Sequence, residues 1–228
     1  MIALDELAPL TLLGALLGAD VVSFPQAMFS RPIVGATLGG ALMGNVAAGL
    51  LTGAVLEMVA LETLPVGASR YPEWGSAALA GGAIAASSHV LRPGAIIVGV
   101  FIGIATSWVG GWSMYALRRL NGVWAERALP AIETGSRRAV MSLQLRGLTA
   151  DLLRAAILTA VALVVWTPIA DYVLAHWTVG RAASHSVLAA VAAAVGGGAV
   201  WRQSHGAAGS RWYLLAGAAL GALVLVVT

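Results

Sequence analysis

The chain contains no cysteine and little charge of either sign: 10% of its 228 residues are charged. Without cysteine there are no disulfides, no thiolate metal sites and no thiol nucleophiles. So little charge excludes an ordinary soluble domain, of which about 25% is charged. The amino terminus carries Asp5 and Glu6 where a secretory signal peptide has basic residues, and it lacks a small-residue cleavage site, so it is expected to be retained. What is present points one way: 59% of the residues are hydrophobic and mean hydropathy is +0.87, the composition of a membrane protein.

A helix crossing a hydrocarbon core needs roughly 17 to 25 apolar residues. Uncharged stretches of about that length run over 33–56, 93–117, 182–201 and 212–228, with shorter or interrupted ones over 7–19, 74–91 and 155–170, the last stopping at Asp171. The expected fold class is all-α, a polytopic helical membrane protein of six to eight membrane elements. Three regions are expected: 1–117 and 155–228 in the membrane, and 118–154 as a loop between them.

The net charge of +3 comes entirely from arginine, and 7 of the 13 arginines fall between Arg118 and Arg154. The positive-inside rule places this loop in the cytoplasm. Leu120, Val123, Trp124, Leu129 and Ile132, then Val140, Leu143 and Leu148, suggest one or two short amphipathic helices at the membrane surface. Such a loop serves either as a solvated, topology-setting connection or as a docking surface for a cytosolic partner. Glu126, Glu133 and Asp151 within it argue against nucleic acid.

Glycine, with 28 copies, recurs at small-xxx-small spacing: Gly14/Gly18, Gly35/Gly39, Gly40/Gly44, Gly49/Gly53, Gly99/Gly103 and Gly217/Gly221. This spacing lets transmembrane helices approach closely. In "SRPIVGATLGGALMGN" (30–45) the glycines follow Arg31-Pro32 and meet the polar Asn45, so the N-terminal third is expected to contain broken or re-entrant hairpin elements. Elements of that kind surround the substrate sites of many transporters.

Asp20, Arg31, Glu57 and Glu62 interrupt apolar sequence, with Gln26 and Asn45 as polar companions. A charge in a bilayer costs roughly 2.5 to 3.5 kcal/mol even on lenient scales, so these groups need partners or water. One reading is structural, an Arg31 ion pair to Asp20 or Glu57. The other is a polar cavity in which Asp20, Gln26, Arg31, Asn45 and Glu57 bind a neutral, hydroxyl-rich substrate, since charge-assisted hydrogen bonds are strong. His89, His176, His185 and His205 are too scattered for a metal motif, so no metal or cofactor site and no catalytic residue is expected.

Arg31-Pro32, Gly44-Asn45, Gly49 with Gly53, Leu56-Glu57, Gly67-Ala68 and Pro72-Glu73 follow one another in an order that resembles the signature of the membrane IIC component of the mannose/fructose/sorbose family of the bacterial phosphotransferase system. The resemblance is densest over 14–80, and upstream "GADVVSFPQAMF" resembles the family's turn before Arg-Pro. Asn45 and Glu73 stand where the family has aspartate, and Glu62 where it commonly has glycine, differences that bear on sugar preference. The resemblance implies an inner-membrane, multi-pass sugar permease subunit that assembles with a IID chain into an oligomeric complex. It also implies uptake coupled to phosphorylation by cytosolic IIA and IIB, with no phosphoryl group on this chain. Two other classes stay open: a stand-alone secondary transporter coupled to protons or ions through Glu57 or Asp20, and an intramembrane hydrolase using Ser184 or Ser186 with His185.

Overall fold

The computed structural model describes every residue except 1, 3, 62, 64–68, 88–91 and 228, so Glu62, Gly67-Ala68 and His89 lie outside the described residues. The described residues form eight helices and no strand: α1 (Leu4–Asp20), α2 (Pro32–Leu42), α3 (Val46–Ala60), α4 (Trp74–Ala86), α5 (Pro93–Glu133), α6 (Arg137–Ala175), α7 (Arg181–Ser204) and α8 (Ser210–Val227). Of these, α5, α6 and α7 are long and apolar enough to cross a membrane.

The apolar stretch 33–56 is not one span. It turns back on itself, because Gly44 takes a left-handed φ of +74° and the Asn45 side chain caps α3 by accepting the N–H of Ala48 at 3.1 Å. Pro32 starts α2 at the position where its missing N–H costs nothing. The resulting helices hold 11 and 15 residues, or about 16 and 22 Å at 1.5 Å per residue. Both fall short of a hydrocarbon core roughly 30 Å thick. The expected broken, hairpin-like element is therefore α2–α3.

All of α4 is buried, enclosed by α1, α2, α3, α5 and α6. Lipid is as apolar as leucine, so this arrangement rests on close packing of small residues instead of on expulsion of water. A Cβ at Gly99 would come within 2.6 Å of the Gly81 carbonyl oxygen, and one at Gly40 within 2.7 Å of the Gly49 Cα. Gly14/Gly18 receive α6, Gly35/Gly39 receive α4 and Gly49/Gly53 receive α2. Gly217 and Gly221 on α8 face open space.

The arginine-rich segment differs from its expected form. It is not a pair of short helices on the membrane surface but the distal halves of α5 and α6, continuous with the spans and joined by a turn at Gly135, where φ is +80°. The reason lies in a second side-chain period. Asn121, Trp124, Ala128 and Ile132 on α5, with Ala139, Leu143 and Gly147 on α6, are half-buried at three- and four-residue intervals, the seam of an antiparallel helix pair. Ser136 caps α6 by accepting the Ala139 N–H. With 41 and 39 residues, the two helices reach about 60 Å, twice a hydrocarbon core.

Candidate functional site

The interval between α1 and α2 opens a cavity of about 420 Å³, inside the roughly 300 to 1,000 Å³ range of ligand pockets. Asp20, Gln26, Ser30 and Arg31 form its polar wall, and Tyr71, Pro72 and Trp74 face them from the start of α4.

Asp20 organises the polar wall. It ends α1, is 2% exposed, and its two carboxylate oxygens accept the backbone N–H groups of Ala27 at 2.7 Å and Ser30 at 2.8 Å. The loop it gathers contains a cis Phe24–Pro25 peptide and two left-handed residues other than glycine, Gln26 at φ +58° and Met28 at φ +64°. Left-handed conformations of this kind cost on the order of 1 to 3 kcal/mol each and persist where the surroundings over-determine them, as at binding sites. The Gln26 amide donates to the Val22 carbonyl at 2.7 Å, which further orders the loop.

Arg31 pairs with Glu57 across the α2–α3 hairpin. Glu57 also accepts the Ile33 N–H at 3.2 Å, so a carboxylate from α3 sits at the positive end of α2, which has no side-chain cap of its own. Of the two partners open for Arg31, Glu57 takes the ion pair, and Asp20 is engaged by backbone N–H groups. Arg31 keeps 41% of its side chain exposed and reaches the cavity, with Glu57 behind it at 13%.

The aromatic wall is also held in place. The Trp74 indole N–H donates to the Thr63 hydroxyl at 3.1 Å, and the Arg118 guanidinium stacks 4.8 Å over the Tyr71 ring while donating to the Ser69 carbonyl and the Tyr71 hydroxyl. Arg70 lies 4.2 Å over Tyr115. Glu73, fully buried between the two wall residues, caps α4 by accepting the Ser76 N–H at 3.0 Å, and its own N–H donates to the Ser107 carbonyl at 2.8 Å. Sequence reasoning singled out Pro72-Glu73 but missed Tyr71 and Trp74. The signal available was "RYPEW", two aromatics flanking a helix start.

Four of the five expected substrate residues thus gather at this end of the bundle. Asn45 does not. It caps α3 at the opposite end of α2, about 16 Å away by helix length. A buried ion pair that the sequence reading did not single out, Asp151 with Arg154 at 2.8 Å, anchors the cavity loop from below. Asp151 accepts the Ser23 hydroxyl, and Arg154 donates to the Ser113 hydroxyl at 3.2 Å and the Gly18 carbonyl at 3.4 Å. On α7 the Ser184 hydroxyl is buried and accepts the Trp177 indole N–H at 3.2 Å, while His185 and Ser186 point outward, so no serine–histidine pair forms there.

The arrangement lines one cavity with ordered polar groups on one side and the side chains of Tyr71 and Trp74 on the other. One solved structure similar to the chain, described as "Structure of membrane protein", shares 17% identity and a TM-score of 0.73, covering 100% of this chain and 96% of that one. A second, "CryoEM Structure of Mannose Transporter ManYZ and Microcin E492 (MceA) complex", shares 16% identity and a TM-score of 0.61, covering 99% and 95%. At these identities the likeness establishes the fold. No curated protein matches the sequence. The family described as "PTS system sorbose-specific iic component" matches residues 7–203. With that match spanning most of its length, the chain belongs to this family, the multi-pass membrane IIC permease subunits of mannose-family sugar phosphotransferase systems.

Proposed function

We propose that the cavity at the α1–α2 break is the sugar site of this permease subunit. Arg31, Gln26 and Ser30 would hydrogen-bond the sugar hydroxyls, and Trp74 with Tyr71 would cover its C–H face. Asp20 and Glu57 would hold that wall in position. The observation that carries this is the pairing of a pre-ordered polar loop with an aromatic wall across one cavity of ligand size. The substrate class is a hexose or a related polyol; the family description names sorbose, and one structural neighbour is a mannose transporter. Transport would proceed with a IID-type subunit in an oligomeric complex in the bacterial inner membrane, the arginine hairpin on the cytoplasmic side, and phosphorylation supplied by cytosolic IIB and IIA.

Titration calorimetry of the chain co-purified with its IID partner, against mannose, sorbose and glucitol, tests the reading. One of these should bind, and Trp74→Ala should weaken it about tenfold, the factor carried by 1.4 kcal/mol, with Trp74→Phe retaining most of the affinity. Tight binding indifferent to Trp74 and Gln26 substitutions would move the site elsewhere. Uptake driven by a proton gradient without IIA and IIB would instead favour a secondary transporter.

A further inference from the structure

Two cavities remote from the sugar site meet at one tryptophan. The first, about 210 Å³, lies where the start of α5, the end of α6 and the start of α7 converge, and Arg92, Trp177, Arg181 and Ser184 line it. The second, about 250 Å³, runs along α5 and α6 between Ile97, Phe101, Trp166, Ile169 and Val173, with Trp177 again at its end. Its lining side chains are all apolar, and the described lining of the first carries two arginines.

The order of polarity follows the membrane. On α5, Arg92 stands at the helix start while Ile97 and Phe101 lie one and two turns further in; on α6, Trp177 follows the helix end while Val173, Ile169 and Trp166 lie progressively deeper. The groove opens outward, with Phe101 and Ile169 largely exposed on spanning helices. Trp177 is fixed between the two cavities. Gly94 leaves room for its ring, since a Cβ there would come within 2.7 Å of the indole, and the indole N–H is held by the buried Ser184 hydroxyl. Tryptophan is at home at this level of a bilayer. Arginine binds phosphate oxygens through its planar fork, and the starts of α5 and α7 add their positive ends on the same side. A free phosphate would occupy only the first cavity and leave the apolar groove unaccounted for. A molecule with a negative head and an apolar tail fits both.

We propose that the two cavities form one site for an anionic phospholipid, its phosphate between Arg92 and Arg181 and one acyl chain in the groove between α5 and α6. The lipid belongs to the leaflet opposite the arginine hairpin and ties the start of α7 to the α5–α6 pair.

The full-length chain in neutral detergent is titrated with phosphatidylglycerol, with phosphatidylcholine of the same acyl chains, and with inorganic phosphate, reading melting temperature and lipid occupancy by native mass spectrometry. Phosphatidylglycerol should bind roughly tenfold more tightly than phosphatidylcholine, because the choline ammonium offsets the phosphate charge against the two arginines. Arg92→Gln with Arg181→Gln should erase that preference, lowering both lipids to the affinity that the apolar groove alone supplies. Arg92→Lys with Arg181→Lys should restore most of it and so separate charge loss from misfolding. Val173→Trp should fill the groove and weaken both lipids. Equal affinity for the two lipids, or a preference that survives in the glutamine pair, would overturn the site. Stabilisation by inorganic phosphate equal to that by phosphatidylglycerol would show that no acyl chain is involved and overturn the lipid reading.

Discussion

Arg31 and Glu57, 26 positions apart, form an ion pair that joins the first turn of α2 to the last turn of α3. The pair closes the open end of a hairpin whose other end is closed by Gly44 and Asn45. Arg31 also lines the cavity and Glu57 does not, so in the proposed site Glu57 would act on a ligand through the arginine it orients.

Glu57→Gln should therefore act first on stability. The loss of one charge-assisted contact with a partly exposed partner is expected to cost about 1 to 2 kcal/mol. Arg31→Gln should cost a similar amount and in addition abolish sugar binding. Thermal unfolding and calorimetry on the two single mutants and the double mutant give the coupling directly. A Glu57→Gln protein that melts normally yet binds sugar 10- to 100-fold more weakly, each 1.4 kcal/mol being a factor of ten, would place Glu57 on the substrate itself.

Asp151 and Arg154 make the contrasting case, with side chains 1% and 9% exposed. Asp151→Asn strands a buried guanidinium, and the expected cost is about 3 to 5 kcal/mol. Replacing the pair together by Leu and Met should recover much of that loss, because the burden lies in an unpaired charge. The Ser23 tether is lost only when Asp151 becomes apolar, so the double mutant should fold but show a loosened cavity loop in hydrogen exchange.

The packing of α4 predicts a sharp difference among glycines. Gly99→Val places atoms against the Gly81 carbonyl and should cost upwards of about 3 kcal/mol, at or beyond the usual range for overpacking. Gly217→Ala, with nothing within 4 Å, should not lower the melting temperature of the isolated chain. Fluorescence-detected size exclusion after heating compares the two. Equal tolerance would contradict the packing of α4 against α5.

The topology has a direct test because the chain lacks cysteine. Thr134→Cys places a thiol at the tip of the α5–α6 hairpin and avoids Gly135, whose φ of +80° suits only glycine well. A membrane-impermeant maleimide should label it only after cells are opened. Ready labelling of intact cells would put the hairpin on the outer face.

Much of the site was legible because its chemistry is local. Arg31-Pro32 marks a helix start by the geometry of proline, Gly44-Asn45 marks a turn and cap, and a charge amid apolar sequence demands company whatever the fold. The arginine segment was legible as amphipathic, but its form was not. A seam at three- and four-residue spacing reads alike for a surface helix and for one half of a helix pair, and only the partner helix tells them apart.

Composition and local pattern alone determined that the chain is a helical membrane protein, that its N-terminal third breaks into a hairpin, where the basic segment lies and which family signature it carries. Each of these follows from the solvent the side chains require and from the backbone freedom of glycine and proline. The tertiary structure alone decided that Arg31 pairs with Glu57 and not with Asp20, that Asn45 lies away from the cavity, that Tyr71 and Trp74 form its far wall, and that Ser23 meets Asp151 across 128 positions. The physical reason is that a charge amid apolar sequence states only that a partner must exist. Which partner arrives depends on how closely the helices approach, and that is set by glycines whose effect appears only once the opposing backbone is in place.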